Sequence, residues 1–184
     1  MKIGEEVIVE GLKKIFYKPF SDFRGTITKV YRAELFEDIG NIKEMYVTHS
    51  EHKYTVRGLH YQKGQYGQDK MIYCITGRLL DVCVCLKKDS PYFGEVFLQE
   101  LSSQSEHALF IPKYFAHGIL TLEGNTSYIN MSPDAYKAGF ESGIDMFDVI
   151  PKEKDIEYLI SHKDMKWNSL RTELELQTKR RGVE

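Results

Sequence analysis

Hydrophobic and polar residues alternate over short runs through most of the chain, and turn residues separate these runs. Such alternation is typical of β-strands with one face in a core, and the Gly, Asp, Ser and Pro residues between the runs indicate turns. The pattern therefore predicts a mainly all-β antiparallel sandwich or barrel. The predicted strands cover residues 27–31, 44–48, 70–75, 79–86, 93–101, 108–111, 118–122 and 126–131.

Two short segments, 32–36 and 152–160, combine clustered charges with a weak apolar stripe. Both are predicted to form short helices outside the core. The tail, residues 168–184, alternates charge densely and contains the basic run Lys179-Arg180-Arg181. It is interpreted as either a terminal helix or a frayed coil, with the basic run on the solvated surface.

The length of 184 residues and the hydrophobic content of 42% suit one well-packed domain. Because the chain shows no repeat and no linker, residues 1–184 are expected to form a single domain, with its core at about 21–164. The 25 basic and 27 acidic residues give a net charge of −2. This balance creates no overall field for nucleic acid or an anionic membrane, and neither is an expected partner.

The three cysteines, Cys74, Cys83 and Cys85, lie in apolar runs without CxxC spacing. Their odd number argues against a disulfide framework and favours a reducing cytoplasm. The N-terminal residues lack the apolar core of a signal peptide, and no later run approaches 18 apolar residues. Secretion and membrane spanning are therefore not expected.

Two histidines stand in strand-like contexts, His60 in the run RGLHYQ at 57–62 and His117 in the run IPKYFAHG at 111–118. Histidine titrates near neutral pH, so two histidines in one barrel interior suit either metal binding or proton transfer. A metal site needs further ligands, but Gln62 follows His60 and no acidic residue precedes Asp69. Two histidines and a glutamine bind a divalent ion poorly, so no metal site is predicted.

Without a metal, the interior offers a set of groups for proton abstraction next to a carbonyl. A base removes the α-proton, a cation or donor stabilises the enolate oxygen, and an acid returns the proton. Arg57 and His60 are three residues apart, so their side chains point to opposite faces of a regular strand. A bulge at Gly58 would turn both toward one ligand. The candidate groups are Arg57, His60, Lys70, His117 and a tyrosine.

Six short motifs occur between about residues 21 and 164: DFRG at 22–25, RGLHYQ at 57–62, QDK at 68–70, Gly77 with Asp81-Val82, SPYFG at 90–94 and PKYFAHG at 112–118. Their order resembles that of the dTDP-4-dehydrorhamnose 3,5-epimerases, a family of cupin fold. The resemblance implies a jelly roll with a few short helices that needs neither metal nor cofactor. It also implies an isomerase, usually dimeric, that inverts the carbons flanking the C4 ketone of a nucleotide-diphosphate sugar.

By position, the resemblance identifies His60 as the base and Asp164, in the segment SHKD at 161–164, as the carboxylate that orients it. Such a carboxylate fixes the tautomer of the imidazole and stabilises the imidazolium that forms. Lys70 matches the lysine that stabilises the enolate. Tyr128 matches the tyrosine that donates a proton from the opposite face.

The same resemblance implies a set of substrate-binding residues. Arg24 and Arg57 match arginines that hold the diphosphate, since a planar guanidinium can bind two oxygens at once. His117 is expected to line the sugar pocket, and Gln62 belongs to the same motif as Arg57. Tyr136 matches a second pocket tyrosine, but it follows Tyr128 by eight residues where the family typically has six, so packing is the alternative role.

Four positions depart from the family pattern. Lys29 stands where the family usually has glutamate, Tyr46 and Thr48 where it has glutamine and asparagine, and Cys85 where it has aspartate. These differences leave open the nucleotide base, the sugar and the choice between C3, C5 and both. The alternatives are a non-catalytic or metal-binding cupin that recognises a sugar or small anion, and a ketoisomerase on the same scaffold.

A sandwich leaves edge strands that another chain can cover, and members of this family often pair their sheets across a two-fold axis. The chain is therefore predicted to form a homodimer.

Overall fold

Two β-sheets make up most of the molecule. The computed structural model describes residues 2–33 and 40–179. These ranges contain the helix α1 (Leu170–Lys179) and 3-10 turns at Gly64–Tyr66, Met146–Asp148 and Asp164–Lys166. The strands are β1 (Lys2–Val9), β2 (Leu12–Tyr17), β3 (Phe20–Asp22), β4 (Gly25–Ile27), β5 (Glu44–Ser50), β6 (Thr55–Gln62), β7 (Lys70–Thr76), β8 (Arg78–Cys85), β9 (Val96–Ser102), β10 (His107–Ile111), β11 (Phe115–Thr121), β12 (Thr126–Ser132), β13 (Glu141–Gly143) and β14 (Leu159–Ile160).

The strands follow a non-sequential order in both sheets. The first sheet has the order β1-β2-β10-β7-β12-β5, and the second has the order β13-β6-β11-β8-β9, with β14 parallel to β6. Apolar residues from both sheets, among them Ile72, Leu79 and Leu109, are fully buried in one shared core. The predicted all-β jelly-roll class is confirmed.

The strands predicted between residues 44 and 131 form where expected, with bounds shifted by a few residues. The strand predicted at 27–31 is wrong, because β4 ends at Ile27. Val30 and Tyr31 instead pack as irregular chain against a buried cluster on the first sheet. Before residue 21, β1 and β2 extend the first sheet, and Leu12 and Ile15 on β2 are completely buried.

The helix predicted at 152–160 is wrong, since residues 151–158 are irregular and β14 follows. An apolar residue of this segment packs elsewhere: the ring of Tyr158 lies on Phe147, with ring centroids 4.7 Å apart. The helix predicted at 32–36 lies mostly outside the described residues, as does the basic run after Lys179. The tail is helical at Leu170–Lys179. None of the helices in residues 2–33 and 40–179 is long and apolar enough to cross a membrane.

A buried carboxylate fixes α1 to the second sheet. Glu173 is 1% exposed and accepts a hydrogen bond from the hydroxyl of Tyr61. Asn168 Nδ2 and Gln177 Nε2 also donate to Glu173, at 3.2 Å and 3.3 Å. Tyr61 directly follows His60 on β6, so this network joins the C-terminal helix to the strand that carries the histidine.

Replacement of Glu173 by alanine is expected to lower the free energy of unfolding by about 2 kcal/mol, because buried donors lose their acceptor. The matched control is Glu175→Ala on the same helix, where the carboxylate pairs with the exposed Arg171. Its loss should change stability by less than about 0.5 kcal/mol. Urea unfolding measures both values, and equal effects would contradict the anchoring role of Glu173.

Candidate active site

A cavity of about 540 Å³ opens between the two sheets. Its walls come from β5, β7 and β12 of the first sheet, from β6 and β11 of the second, and from the segment 159–164. Three of the lining side chains are cations and one is a carboxylate, which favours an anionic ligand. The polar lining residues are Tyr46, Thr48, Thr55, Arg57, His60, Lys70, His117, Tyr128, Asn130, Ser161, Lys163 and Asp164.

His60 projects from β6 into the cavity, and Asp164 meets it from the turn after β14. Nε2 of His60 donates to Oδ1 of Asp164 at 2.6 Å, so Nδ1 carries the lone pair that can accept a proton. Burial alone would raise the pKa of Asp164, but the hydrogen bond and charge of His60, with the Gly58 N–H and Trp167 Nε1–H, lower it to about 2. Asp164 is therefore an anion at neutral pH and accepts a charge-assisted hydrogen bond from His60.

A bulge in β6 brings Arg57 and His60 to the same cavity. The antiparallel register with β11 pairs His60 with His117 and Arg57 with Ile119, so β6 holds one extra residue between these pairs. Gly58 has a φ of +95°, and a Cβ there would lie 2.7 Å from the carbonyl oxygen of His117. Only glycine fits this position. The bulge that the sequence left open at Gly58 is present, and both side chains line the cavity.

A second histidine–aspartate pair lies beside the first. His117 is buried, and its Nε2 donates to Oδ2 of Asp81 at 2.8 Å. Asp81 is fully buried on β8 and also accepts a hydrogen bond from the thiol of Cys83 at 3.3 Å. Burial, reinforced by the charge and hydrogen bond of Asp81, raises the pKa of Cys83 well above its usual value. The thiol therefore stays protonated and acts as a donor.

Lys70 begins β7 and lines the cavity. Burial lowers the pKa of its ammonium group, while the negative charge of Asp81 is the first of several influences that oppose this change. Within residues 2–33 and 40–179, Lys70 Nζ makes no hydrogen bond or ion pair. A cation held in this way can stabilise negative charge that develops on a ligand oxygen.

Tyr128 faces the cavity from β12, in the sheet opposite to that of His60. Burial raises the pKa of its phenol, while the charge of Arg57 and a hydrogen bond with Thr48 act in the other direction. The net shift is upward, so the phenol is protonated at neutral pH and can act as an acid. An acid and a base thus approach the cavity from facing sheets.

Three residues predicted to bind substrate do not line the cavity of their own chain. Arg24 is exposed on the hairpin of β3 and β4 and pairs with a neighbouring aspartate. Gln62 is buried, and its amide exchanges hydrogen bonds with the backbone of Lys137, so its position does not support substrate binding. Tyr136 is half exposed beside the site, with its hydroxyl 3.4 Å from Glu141 Oε2.

Three residues lie beside the predicted site residues but were not themselves predicted as site residues: Asp81, Trp167 and Glu141. Asp81 gave a signal, because a lone acid on an otherwise apolar strand requires a buried partner. Trp167 gave a weaker one, since it stands three residues after Asp164, to which it donates at 3.1 Å. Glu141 gave none, as only the folded chain brings its carboxylate to within 3.8 Å of His60.

The four departures from the family pattern fall in different places. Tyr46 and Thr48 line the cavity, so they alter the wall that meets a ligand. Cys85 belongs to the apolar core, and Lys29 is exposed. Of the four differences, only those at Tyr46 and Thr48 change the wall of the cavity in this chain.

The fold and the site define a class of protein, a jelly-roll isomerase that moves protons next to a carbonyl. In the part of the chain that the structure describes, no group of three or more His, Cys, Asp or Glu side chains is placed to hold a metal ion. The family model described as dTDP-4-dehydrorhamnose 3,5-epimerase matches residues 6–172. The chain belongs to this family.

Individual relatives cover most of the chain. The dTDP-4-dehydrorhamnose 3,5-epimerase of Salmonella typhimurium is 35% identical over 130 residues, which are 69% of this chain and 71% of that protein. The crystal structure of the enzyme of the same name from Sulfolobus tokodaii has a TM-score of 0.84 at 34% identity and covers 93% of this chain and 97% of that one. A Legionella pneumophila 3,5-epimerase in complex with dTDP-4-keto-L-rhamnose has a TM-score of 0.83 at 28% identity, with 92% and 94% coverage.

Asp164→Asn is expected to lower the free energy of unfolding by about 2 kcal/mol near pH 6. The folded-state pKa of about 2 lies below the ordinary value of 3.8, so the carboxylate stabilises the fold above pH 4 and loses this effect as the pH falls toward 2. The difference from wild type should therefore shrink between pH 4 and pH 2. Urea unfolding across this range measures it.

The matched control is Asp155→Asn, which changes an exposed aspartate before β14. It should leave stability within about 0.5 kcal/mol of wild type. A cost of Asp164→Asn that did not vary with pH would contradict the predicted ionic hydrogen bond.

Proposed function

We propose that the chain epimerises dTDP-4-keto-6-deoxyglucose at C3 and C5, the carbons on either side of the ketone. The observation that supports this best is that His60 and Tyr128 face one cavity from opposite sheets. Inversion of a carbon requires removal of a proton on one side and its return on the other. A base and an acid on facing walls meet this requirement.

The reaction begins when Nδ1 of His60 takes the proton from the carbon next to the ketone. The electrons of the broken C–H bond form the carbon–carbon double bond of an enolate, and the negative charge moves to the carbonyl oxygen. Lys70 Nζ stabilises this oxygen. Tyr128 then donates its phenolic proton to the same carbon from the other side, which restores the ketone with inverted configuration. Water removes the proton from His60 and restores the proton of Tyr128.

One carboxylate prepares the base for this step, and a second histidine is placed to orient the substrate. Asp164 accepts from Nε2, so Nδ1 faces the reaction as the basic nitrogen. Asp164 also stabilises the positive charge that the imidazole gains. His117, held by Asp81, adds a polar group that can orient the ketone or a hydroxyl of the sugar.

The diphosphate requires cations at the mouth of the cavity. Arg57 is exposed there, and its guanidinium is oriented by Ser50 Oγ and the carbonyl oxygen of His49, each at 3.3 Å. Lys163 also lines the cavity. Arg24 does not line the cavity of its own chain, so a contact with the diphosphate would have to come from a second subunit. The exposed hairpin that carries Arg24 includes Phe23, which is 98% exposed.

Replacement of His60 by asparagine is expected to lower kcat/KM for epimerisation by about 10³-fold, since the general base is lost. Proton NMR in heavy water with dTDP-4-keto-6-deoxyglucose follows the loss of the C3 and C5 signals. Exchange at both carbons that depends on His60 is the expected result. The matched control is His49→Asn, an exposed histidine on β5 whose ring shares a hydrogen bond with Ser127 and does not line the cavity.

Different outcomes of this experiment separate the alternatives. Exchange at C3 alone would identify a 3-epimerase. A product with the ketone moved to another carbon would identify a ketoisomerase. Wild-type protein that bound the sugar without any exchange would favour a binding cupin, and full exchange by His60→Asn would contradict the role of His60.

The protein is expected to be a homodimer, and light scattering at micromolar concentration should give twice the chain mass of 21.4 kDa. Arg24→Ala should raise KM for the sugar nucleotide about tenfold or more with a small effect on kcat, because it removes a charged contact to the diphosphate. The control is Arg171→Ala, at an exposed arginine on α1. A monomeric mass with full activity would contradict this assembly.

A cytoplasmic location is proposed from the three buried free cysteines.

A further inference from the structure

The ring of His60 lies between two carboxylates. Asp164 binds Nε2 at 2.6 Å, and Oε1 of Glu141 lies 3.8 Å from Nδ1 on the other edge of the ring. Glu141 begins β13, the strand next to β6, where the neighbouring Gly143 is paired with His60. The carboxylate therefore approaches His60 from a strand that is hydrogen-bonded to its own.

Glu141 is held in place by two further side chains. Its Oε2 forms an ion pair with Lys163 Nζ and lies 3.4 Å from the Tyr136 hydroxyl. The side chain is 17% exposed, so one part of the carboxylate contacts water while the other faces the imidazole. A group with these contacts can pass a proton between the site and solvent.

Nδ1 is the nitrogen that receives the substrate proton in the proposed function, since Asp164 occupies Nε2. Apart from the two carboxylates, the charged and titratable groups that share the site with His60 are Arg57, Lys70, Lys163, His117, Tyr46 and Tyr128. The charged side chains among them, Arg57, Lys70 and Lys163, are cations. Glu141 is the carboxylate on the Nδ1 side within the described residues.

We propose that Glu141 accepts the abstracted proton from Nδ1 of His60 and releases it to water. The substrate C–H bond breaks, its electrons form the enolate, and the proton forms the N–H bond at Nδ1. This N–H bond then breaks as the proton passes through one bridging water molecule to Oε1 of Glu141, because 3.8 Å is too long for a direct hydrogen bond. The imidazole is left neutral, and the carboxylic acid gives the proton to bulk water. The role rests on the proposed function, because it requires His60 to act as the base.

Glu141→Gln keeps the size of the side chain but cannot take up a proton. Wild type and variant are compared in heavy water with dTDP-4-keto-6-deoxyglucose at less than about one tenth conversion. Early in the reaction, deuterium in unreacted substrate reports exchange at His60 followed by return to the same face, and epimer reports donation by Tyr128. The ratio of deuterated substrate to epimer is expected to fall about tenfold in the variant, less than the effect typical of a general acid or base, because water can still exchange the proton of His60 more slowly.

The pH profile gives a second readout. Glu141→Gln removes the negative charge beside Nδ1, so the acid limb of kcat/KM should move down by about one pH unit. Lys163→Met removes the cation that neutralises Glu141 and should move the limb upward. The matched control is Glu100→Gln, where the glutamate pairs with Arg78 on the surface and both readouts should stay at the wild-type values.

The outcomes are distinguishable. An unchanged ratio in Glu141→Gln, with equal losses of exchange and epimerisation, would overturn the proton-transfer role and leave Glu141 a structural residue. A limb that moved in the same direction in both variants would also overturn it. Absence of exchange with wild type would contradict the proposed function itself, whatever the variants did.

Discussion

The hydrogen bond between His60 and Asp164 is the contact on which the geometry of the site depends. It joins β6 to a turn 104 residues later in the chain. The same carboxylate accepts the N–H of Gly58 at 3.3 Å, so it also supports the bulge that turns Arg57 and His60 into one cavity. Three donors around one buried anion hold the base, the bulge and the C-terminal turn in a single arrangement.

The placement of charge in the cavity follows from the same principle. Each buried carboxylate has donors, Asp164 from His60 and Asp81 from His117, whereas the ammonium of Lys70 has no hydrogen-bonded partner among the described residues. Buried charges cost free energy unless they are paired, and the proposed role of Lys70 in contact with a ligand oxygen is consistent with this lone position. The pairing of acids and the availability of the cation together suit the stabilisation of an enolate.

Much of the fold was predictable because the alternation of hydrophobic and polar residues along the chain agrees with the strands that form. In β12, buried and partly exposed residues alternate over 126–130, so the sequence pattern matches the folded strand there. The predictions failed where a segment is held by contacts rather than by its own periodicity. Residues 152–160 look weakly helical, yet Tyr158 packs on Phe147 and β14 pairs with β6. β8 is buried on both faces, because C-terminal residues cover the outside of the second sheet.

The sequence by itself determined the all-β class and the family, and it predicted the candidate site residues. His60, Lys70 and Asp164 stand within short motifs, and Tyr128 was identified by its position in the family pattern. The tertiary structure alone decided the geometry. It put Tyr128 and His60 on facing walls, left Gln62 bonded to backbone outside the cavity and brought Glu141 to the free edge of the imidazole. These relations depend on strands that pair across large sequence separations, and no local pattern specifies such distances.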